Sequence, residues 1–125
     1  MADQTISGVD FVTIPTEDIE AADRFYGDVL GLERSKQWGE MPAREYETEN
    51  LTLAVMQMDG FGQTFAPHPA PIALQVADAA AMRADLEAKG VEFRGDPIDS
   101  GVCHMHIFSD PDGNTLMLHQ RYAPK

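Results

Sequence analysis

The sequence predicts an α+β fold made of two βαβββ modules. Residues 7–58 contain a strand-like segment, a helix-like segment and three further strand-like segments, and the same order recurs in residues 71–122. Residues 59–70 between them are rich in glycine and proline, which is typical of a linker. Because a module of about 50 residues can hardly bury its own core, we expect residues 1–125 to form a single domain of interdependent modules.

The first module begins with residues 9–14 (VDFVTI), which alternate in polarity and are rich in β-branched side chains, as in a strand. Thr16 is a candidate N-cap, and apolar residues recur at helical spacing from Ile19. Gly31 is expected to end this helix. The three strands that follow are predicted at residues 34–38, 44–48 and 51–58.

The second module repeats these signals. Residues 72–76 (IALQV) predict its first strand, and Asp78 and Gly90 occupy the places that Asp18 and Gly31 hold in the first module. The helix is predicted at residues 79–89, and the remaining strands at residues 91–93, 102–108 and 115–122.

Composition limits the possible partners. The formal net charge is −12, from 21 acidic residues against 9 lysines and arginines, which argues against nucleic acid and anionic membranes. The acidity is compatible with a cationic small ligand, or it serves only solubility. The single cysteine cannot form an internal disulfide, no apolar run approaches the roughly 20 residues that span a bilayer, and residues 1–8 do not resemble a signal peptide. These features predict a cytoplasmic protein.

Two segments carry a family resemblance. Residues 9–32 (VDFVTIPTEDIEAADRFYGDVLGL) resemble the opening of a vicinal oxygen chelate protein, and residues 108–120 (FSDPDGNTLMLHQ) resemble the closing hairpin of that superfamily. This is the glyoxalase / bleomycin resistance / extradiol dioxygenase superfamily, and the resemblance covers nearly the whole chain. It implies that the two βαβββ modules form a curled mixed-sheet cup.

The resemblance also locates the positions that carry metal ligands in the metal enzymes of the superfamily. They lie on the first and last strand of each module, and here they are occupied by Phe11, Ala54, Pro71 and Met117. None of these side chains is a good ligand for a divalent metal. The chain therefore resembles the metal-free branch, typified by bleomycin resistance proteins, which are acidic dimers that sequester a cationic drug. We expect no metal and no cofactor.

Strand alternation gives an independent prediction of the side chains that face the cup. If residues 49–50 form a two-residue turn, Glu45 and Glu47 share the face of Ala54, where they either favour a cationic ligand or sit in water at a solvated edge. Trp38, near a strand end, could stack on a flat ligand, as could Phe61 and Phe65 in the linker. The predicted ligand-binding cleft comprises Phe11, Thr13, Trp38, Glu45, Glu47, Thr52, Ala54, Met56, Pro71, Ala73, Gln75, Met105, Ile107, Thr115, Met117 and His119.

Three of the four histidines surround the closing Asp-Pro-Asp-Gly turn. If Ser109 pairs with Thr115, then His119 faces the cup while His104 and His106 lie on the opposite face. A slip of one residue would instead bring the three histidines together. We prefer the first register, in which Ile107 also faces the cup.

Other candidate groups carry weaker signals. The pair of His104 and His106 could bind a metal, although packing or surface roles are commoner for such residues. Cys103 is predicted to be a small buried group rather than a nucleophile, because no helix start or cationic neighbour can be assigned to it. His68, between prolines, is predicted to be exposed.

Two hypotheses of function follow, and the sequence leaves open whether the protein is an enzyme. The first is a metal-independent protein that binds or sequesters a small molecule, acting as a homodimer. The second is a lyase, isomerase or dioxygenase-like enzyme that uses Glu47 and His119 as acid–base groups or as non-standard metal ligands. A catalytically silent regulatory partner is a third possibility.

Overall fold

Residues 4–124 are described by a computed structural model, in which each half of the chain forms one four-stranded mixed sheet. In the first sheet, β1 pairs in parallel with β4, and the antiparallel strands β3 and β2 complete the order β1-β4-β3-β2. The elements of this half are β1 (Phe11–Thr16), α1 (Ile19–Asp23) with a π-helical continuation (Arg24–Val29), β2 (Glu33–Gln37), β3 (Ala43–Glu47) and β4 (Thr52–Gln57).

The second sheet has the same topology, with the order β5-β8-β7-β6 and a parallel pair of β5 and β8. A short 3-10 turn (Met58–Phe61) opens the segment between the sheets. The elements of this half are β5 (Ile72–Gln75), α2 (Ala79–Ala88), β6 (Phe93–Asp99), β7 (Cys103–Ser109) and β8 (Thr115–Arg121). The predicted α+β class with two curled mixed sheets is confirmed.

The first helix begins differently from the prediction. Asp18, not Thr16, is its N-cap, and the Asp18 carboxylate accepts hydrogen bonds from the backbone N–H groups of Glu20 and Ala21. Thr16 is not the N-cap, because its hydroxyl oxygen accepts from the N–H of Asp18, which precedes the helix, at 3.0 Å rather than from an N–H of the first turn; the same hydroxyl donates to Asp112 at 2.5 Å. The prediction for the second helix is confirmed, since Asp78 accepts from the N–H of Ala81.

Two elements have different lengths or forms from those predicted. The first helix widens into a π-helical segment after Asp23, whereas the helical spacing of the apolar residues predicts one regular helix. Strand β6 begins at Phe93 and continues to Asp99, so its prediction at residues 91–93 is wrong. Gly95, with a φ of 70°, interrupts the regular pairing of β6 with β7. The prediction ends the strand too early because a segment that contains glycine and proline has the sequence pattern of a loop.

The helix-bearing faces of both sheets share one hydrophobic core. The ring of Phe25, from the π-helical segment, lies 6.4 Å from that of Phe108 on β7. The cup side of each sheet is the opposite side, away from this shared core. The fully buried core side chains include Ile14, Tyr26, Tyr46, Leu53 and Val55 from the first half, and Leu86, Phe108, Leu116 and Leu118 from the second.

The turn at residues 110–114, here named the closing turn, joins the two halves through buried hydrogen bonds. The Tyr26 hydroxyl donates to the Asp110 carboxyl at 2.6 Å, and the Asn114 amide donates to the carbonyl of Pro15 at 2.7 Å. Burial and the neighbouring Asp110 carboxylate hold the pKa of Tyr26 well above its ordinary value, so this hydroxyl remains a donor. The closing turn therefore positions the second sheet on the start of the first helix.

In residues 4–124, no helix is long and apolar enough to cross a bilayer.

Candidate functional site

The cup side of the first sheet, here named the first cup face, is organised by the pairing of β3 with β4. Tyr46 lies opposite Leu53 and Glu45 opposite Ala54, which confirms the register predicted from a turn at residues 49–50. Directly paired residues project from the same side of a sheet. The first cup face is formed by Phe11, Thr13, Trp38, Glu45, Glu47, Thr52, Ala54 and Met56.

Three aromatic rings meet on the first cup face. The ring of Trp38 contacts Phe11 edge-on, with centroids 5.8 Å apart, and contacts Phe61 edge-on at 6.3 Å. The indole N–H of Trp38 donates a 2.6 Å hydrogen bond to the Glu45 carboxylate, which fixes the ring against the sheet. Phe11 is 41% exposed and Trp38 is half-buried, so the rings present an accessible aromatic surface beside a carboxylate.

The two carboxylates of this face have different environments. Glu47 accepts from the hydroxyl of Ser35 at 2.5 Å and from that of Thr52 at 2.6 Å, one at each carboxylate oxygen. These two hydrogen bonds lower the pKa of Glu47 below its ordinary value. Glu45 uses only Oε2, for Trp38, and within the described chain its Oε1 receives no hydrogen bond. Glu45 therefore keeps more free acceptor capacity for a ligand than Glu47 does.

The cup side of the second sheet, here named the second cup face, is set by the closing hairpin. Ser109 pairs with Thr115, Ile107 with Met117, and Met105 with His119, as in the preferred register. On the neighbouring strand, Ala73 pairs with Met117 and Gln75 with His119, while Pro71 precedes β5 and is exposed. The second cup face is formed by Ala73, Gln75, Arg94, Met105, Ile107, Ser109, Thr115, Met117 and His119.

Arg94 is the member of this face that sequence reasoning missed. It pairs with Ile107 across β6 and β7, and its guanidinium donates to Ser109 at 2.6 Å and to Thr115 at 2.9 Å. The sequence pattern predicts that this strand ends at Phe93 and therefore gives Arg94 no strand position. The alternation from buried-side Phe93 to Arg94 is the signal that could have placed it.

The three histidines of the hairpin do not meet. His104 stacks on Tyr122 at 4.6 Å near the sheet end, whereas His106 is 4% exposed on the core side. The Nδ1 of His106 lies 3.3 Å from the Arg83 guanidinium, and burial together with this cation lowers the pKa of His106. A cation at this distance also opposes metal binding by His106.

The four positions that the family resemblance assigns to metal ligands carry side chains without ligand chemistry. Phe11 precedes by two residues the Thr13 that pairs with Ala54, and Pro71 stands in the same relation to the pair of Ala73 and Met117. Phenyl, methyl, pyrrolidine and thioether groups do not suit a divalent metal that prefers nitrogen, oxygen or thiolate ligands. Across residues 4–124, no three His, Cys, Asp or Glu side chains cluster as a metal site would require.

Two further predictions concern individual residues. Cys103 is 5% exposed, which confirms that it is buried, but the expectation that it has no cationic neighbour is wrong, because the Nη1 atom of Arg121 lies 3.9 Å from its Sγ. His68 is half-buried, so its predicted exposure is wrong. Its backbone explains the difference, because the carbonyl accepts from Thr115 at 2.9 Å and the N–H donates to Asn114 at 2.8 Å. Part of the segment between the sheets is thus tied to the closing hairpin.

Two units of the same β-α-β-β-β order, each with one face turned from a shared core, define a cup-forming α+β protein. The family model described as "Glyoxalase/Bleomycin resistance protein/Dioxygenase superfamily" matches residues 8–118. The chain belongs to this superfamily. A search of curated proteins finds no match.

Solved structures show the same fold. A superfamily member from Sphaerobacter thermophilus DSM 20745 is 25% identical with a TM-score of 0.81, over 93% of this chain and 98% of that chain. A lactoylglutathione lyase from Agrobacterium tumefaciens is 17% identical with a TM-score of 0.74, over 94% and 96%. A fosfomycin resistance protein from Listeria monocytogenes is 21% identical with a TM-score of 0.74, over 93% and 92%. Because these names cover different activities, function must be argued from the site.

Proposed function

We propose that the protein binds and sequesters a small organic ligand without a metal, and that the ligand carries a cationic group. The observation that carries this proposal is the arrangement of Trp38, Phe11 and Glu45 on the first cup face. The ring of Trp38 is fixed by its hydrogen bond to Glu45, and Phe11 closes one side at 5.8 Å. Aromatic faces and a carboxylate together attract an organic cation, through the ring quadrupole and through charge.

The character of Glu45 supports a cationic rather than a neutral ligand. One of its oxygens is bound to Trp38, and the other has no donor in the part of the chain that the structure describes. Lys36 stands opposite Glu45 in the strand register without forming an ion pair with it there. The carboxylate thus keeps acceptor capacity, and the net charge of −12 adds a favourable long-range field for a cation.

Metal independence is proposed from the donor chemistry of the cup. By family resemblance, Phe11 on β1 and Pro71 just before β5 stand at the first ligand position of each module, and Ala54 on β4 and Met117 on β8 stand at the last. Since none of the four can donate an oxygen or nitrogen lone pair from its side chain, binding must rely on apolar contact, hydrogen bonds and charge.

A homodimer is proposed as the functional unit, with each ligand cleft closed by a second copy. The two cup faces lie on the sides of the sheets away from the shared core, and each presents exposed apolar groups, such as Phe11 on the first and Ile98, opposite Met105, at the edge of the second. Covering such faces is a usual reason for dimer formation. Sedimentation velocity tests this, with a species of twice the chain mass expected and a monomer at all concentrations contradicting it.

The single cysteine supports a cytoplasmic location.

The alternative of an enzyme with Glu47 and His119 as acid–base groups is less well supported. A general base works best with a pKa near the operating pH, whereas hydrogen bonds from two hydroxyls, one at each carboxylate oxygen, lower the pKa of Glu47. Glu47 is therefore better suited to bracing β2 against β4 than to accepting a proton from a substrate.

A thermal-shift screen tests the proposed function. The library contains aromatic ammonium compounds, each paired with its uncharged carbon isostere, and is applied once with chelator and once with added Zn²⁺, Ni²⁺, Fe²⁺ or Mn²⁺. We expect the ammonium member of each pair to raise the melting temperature more, and equally in both conditions. Stabilisation only in the presence of a metal, or equal stabilisation by the neutral isosteres, would contradict the proposal.

A further inference from the structure

We propose that Arg94, Ser109 and Thr115 form an oxyanion-binding site on the second cup face. It takes a carboxylate or a phosphonate or phosphate group of a small molecule. This deepens the proposed function, and rests on it for the assumption that the cup is where the ligand binds. The site itself is defined by three side chains of one sheet.

The three side chains are held together by short hydrogen bonds. The Nη2 atom of Arg94 donates to the Ser109 hydroxyl at 2.6 Å and to the Thr115 hydroxyl at 2.9 Å. Ser109 and Thr115 are directly opposite each other on β7 and β8, so their hydroxyls project from the same side of the sheet. The guanidinium is therefore held in place on the cup side although Arg94 is exposed.

This cluster keeps several N–H and O–H groups that have no acceptor within the described chain. Both bonds of Arg94 leave from Nη2, so Nε and Nη1 have no acceptor among residues 4–124. The hydroxyls of Ser109 and Thr115 accept from Arg94, and within the same residues neither donates its own hydrogen. A group of convergent donors around a fixed positive charge suits an oxyanion, which only accepts hydrogen bonds.

The charge of Arg94 is not neutralised by the described chain. Within residues 4–124, the arginines that form ion pairs with carboxylates are Arg34, Arg44 and Arg83. No carboxylate of these residues forms an ion pair with Arg94. In a protein with a net charge of −12, a guanidinium fixed by neutral hydroxyls alone is a local exception to the acidic surface. Bracing the hairpin would need hydrogen bonds but not a charge, whereas binding an anion needs both.

The test follows the ¹⁵N–¹H spectrum of the full chain during titration with acetate, methylphosphonate and, as an uncharged match, acetamide. We expect saturable shifts of the Arg94 Nε–H signal and of the Ser109 and Thr115 amides with acetate or methylphosphonate, and none with acetamide. The anion that binds more tightly identifies a planar or a tetrahedral group as the preferred ligand. No saturable shift with either anion, or equal shifts with acetamide, would overturn the proposal.

Variants separate a specific site from general charge attraction. Arg94→Gln should weaken the binding of the anion by about tenfold or more, and Arg94→Lys should weaken it less, because an ammonium keeps the charge without the planar fork. Arg24→Gln removes the same charge from an exposed position of the first helix and should leave the affinity unchanged. Equal losses for Arg94→Gln and Arg24→Gln would overturn the site, and unchanged amide spectra elsewhere show that each variant is folded.

A parallel titration with benzyltrimethylammonium keeps this inference distinct from the proposed function. Arg94→Gln should leave the affinity for this cation unchanged, and Trp38→Ala should leave the affinity for the oxyanion unchanged. If the wild-type protein binds benzyltrimethylammonium but no oxyanion, the Arg94 site is refuted and the cation site stands. If it binds the oxyanion but not benzyltrimethylammonium, only the cation site is refuted.

Discussion

The first and second cup faces come from strands of the same order and pairing, yet their side chains differ in chemistry. The first carries aromatic rings and two carboxylates, represented by Trp38 and Glu45. The second carries methionines, hydroxyls and the guanidinium of Arg94. On the other side both sheets are alike, with large apolar residues buried in one core. Close packing thus restricts the helix-bearing faces to apolar residues, whereas the cup faces, which lie outside the core, can carry side chains of opposite charge.

The two halves form one cooperative unit through their shared core, and removing a buried group of the closing turn should weaken that unit. Asp110→Ala removes the carboxylate that accepts hydrogen bonds from the Tyr26 hydroxyl and from the Asn114 side-chain amide. Leaving several buried donors unsatisfied should lower the free energy of unfolding by about 3–5 kcal/mol. Urea denaturation measures this.

The control for this prediction is Asp96→Ala, which removes an exposed carboxylate from β6 and should change stability by less than about 0.5 kcal/mol. If Asp110→Ala unfolds as readily as Asp96→Ala, the closing turn does not hold the halves together. Separate unfolding transitions for the two halves in the wild-type protein would also contradict the account.

The aromatic character of the first cup face is tested by Trp38→Ala. This change removes the ring between Phe11 and Phe61 and the hydrogen bond to Glu45, so the affinity for benzyltrimethylammonium should fall by about tenfold. Isothermal titration calorimetry measures the affinity. Tyr122→Ala, which removes a ring stacked on His104 away from the cup faces, is the matched control and should keep the wild-type affinity.

A smaller effect distinguishes two histidines of the second half. Burial and Arg83 lower the pKa of His106, so between that pKa and the ordinary value of about 6.5 the unfolded chain binds more protons than the folded one. Stability should therefore fall as the pH falls from 7 through this range. Chemical denaturation at pH 7 and pH 5.5 should show a smaller fall for His106→Gln than for the wild type.

The matched change is His104→Gln, because His104 is 42% exposed in its side chain. It should reproduce the pH dependence of the wild type more closely than His106→Gln does. A pH dependence that is the same in all three proteins would show that His106 is not protonated differently in the folded and unfolded chains.

The smallest expected effect concerns the contact between the π-helical segment and β2 in the first half. A β-carbon at Gly27, in the π-helical segment, would meet the Arg34 guanidinium, which bridges Asp23 and Asp28. Gly27→Ala should change stability by no more than about 1 kcal/mol, since helix propensity gains what the exposed ion pairs lose. In an Arg34→Ala background the same change should be stabilising. A double-mutant cycle by denaturation measures both, and a destabilising effect in that background would contradict the close contact.

The strands and their faces were predictable because alternation is a local signal. Tyr46 opposite Leu53 and Ser109 opposite Thr115 follow from short turns, which fix the register over a few residues. The positions that the family resemblance assigns to metal ligands, counted from Asp18, Asp78 and the closing turn, fall on the faces that alternation assigns to the cup. Alternation alone therefore assigns the cup residues to their faces.

The remaining features depend on contacts that sequence spacing does not reveal. The hydrogen bond from Tyr26 to Asp110 joins residues 84 positions apart, so an Asp-Pro-Asp-Gly turn gives no sign that its carboxyl is buried. Arg94 was missed because Gly95 and Pro97 in the continuing strand resemble a loop. Strand alternation gives Glu45 and Glu47 the same position on the first cup face, and only the hydroxyls of Ser35 and Thr52 around Glu47 distinguish the two.

The central claim is that the first cup face binds an organic cation without a metal, and one calorimetric titration tests it most directly. Benzyltrimethylammonium is titrated into protein treated with chelator, and then into the same protein supplied with Zn²⁺, Ni²⁺, Fe²⁺ or Mn²⁺. We predict the same dissociation constant in every case. Binding that appears only after a metal is added, together with stoichiometric metal in the untreated protein, would contradict the account.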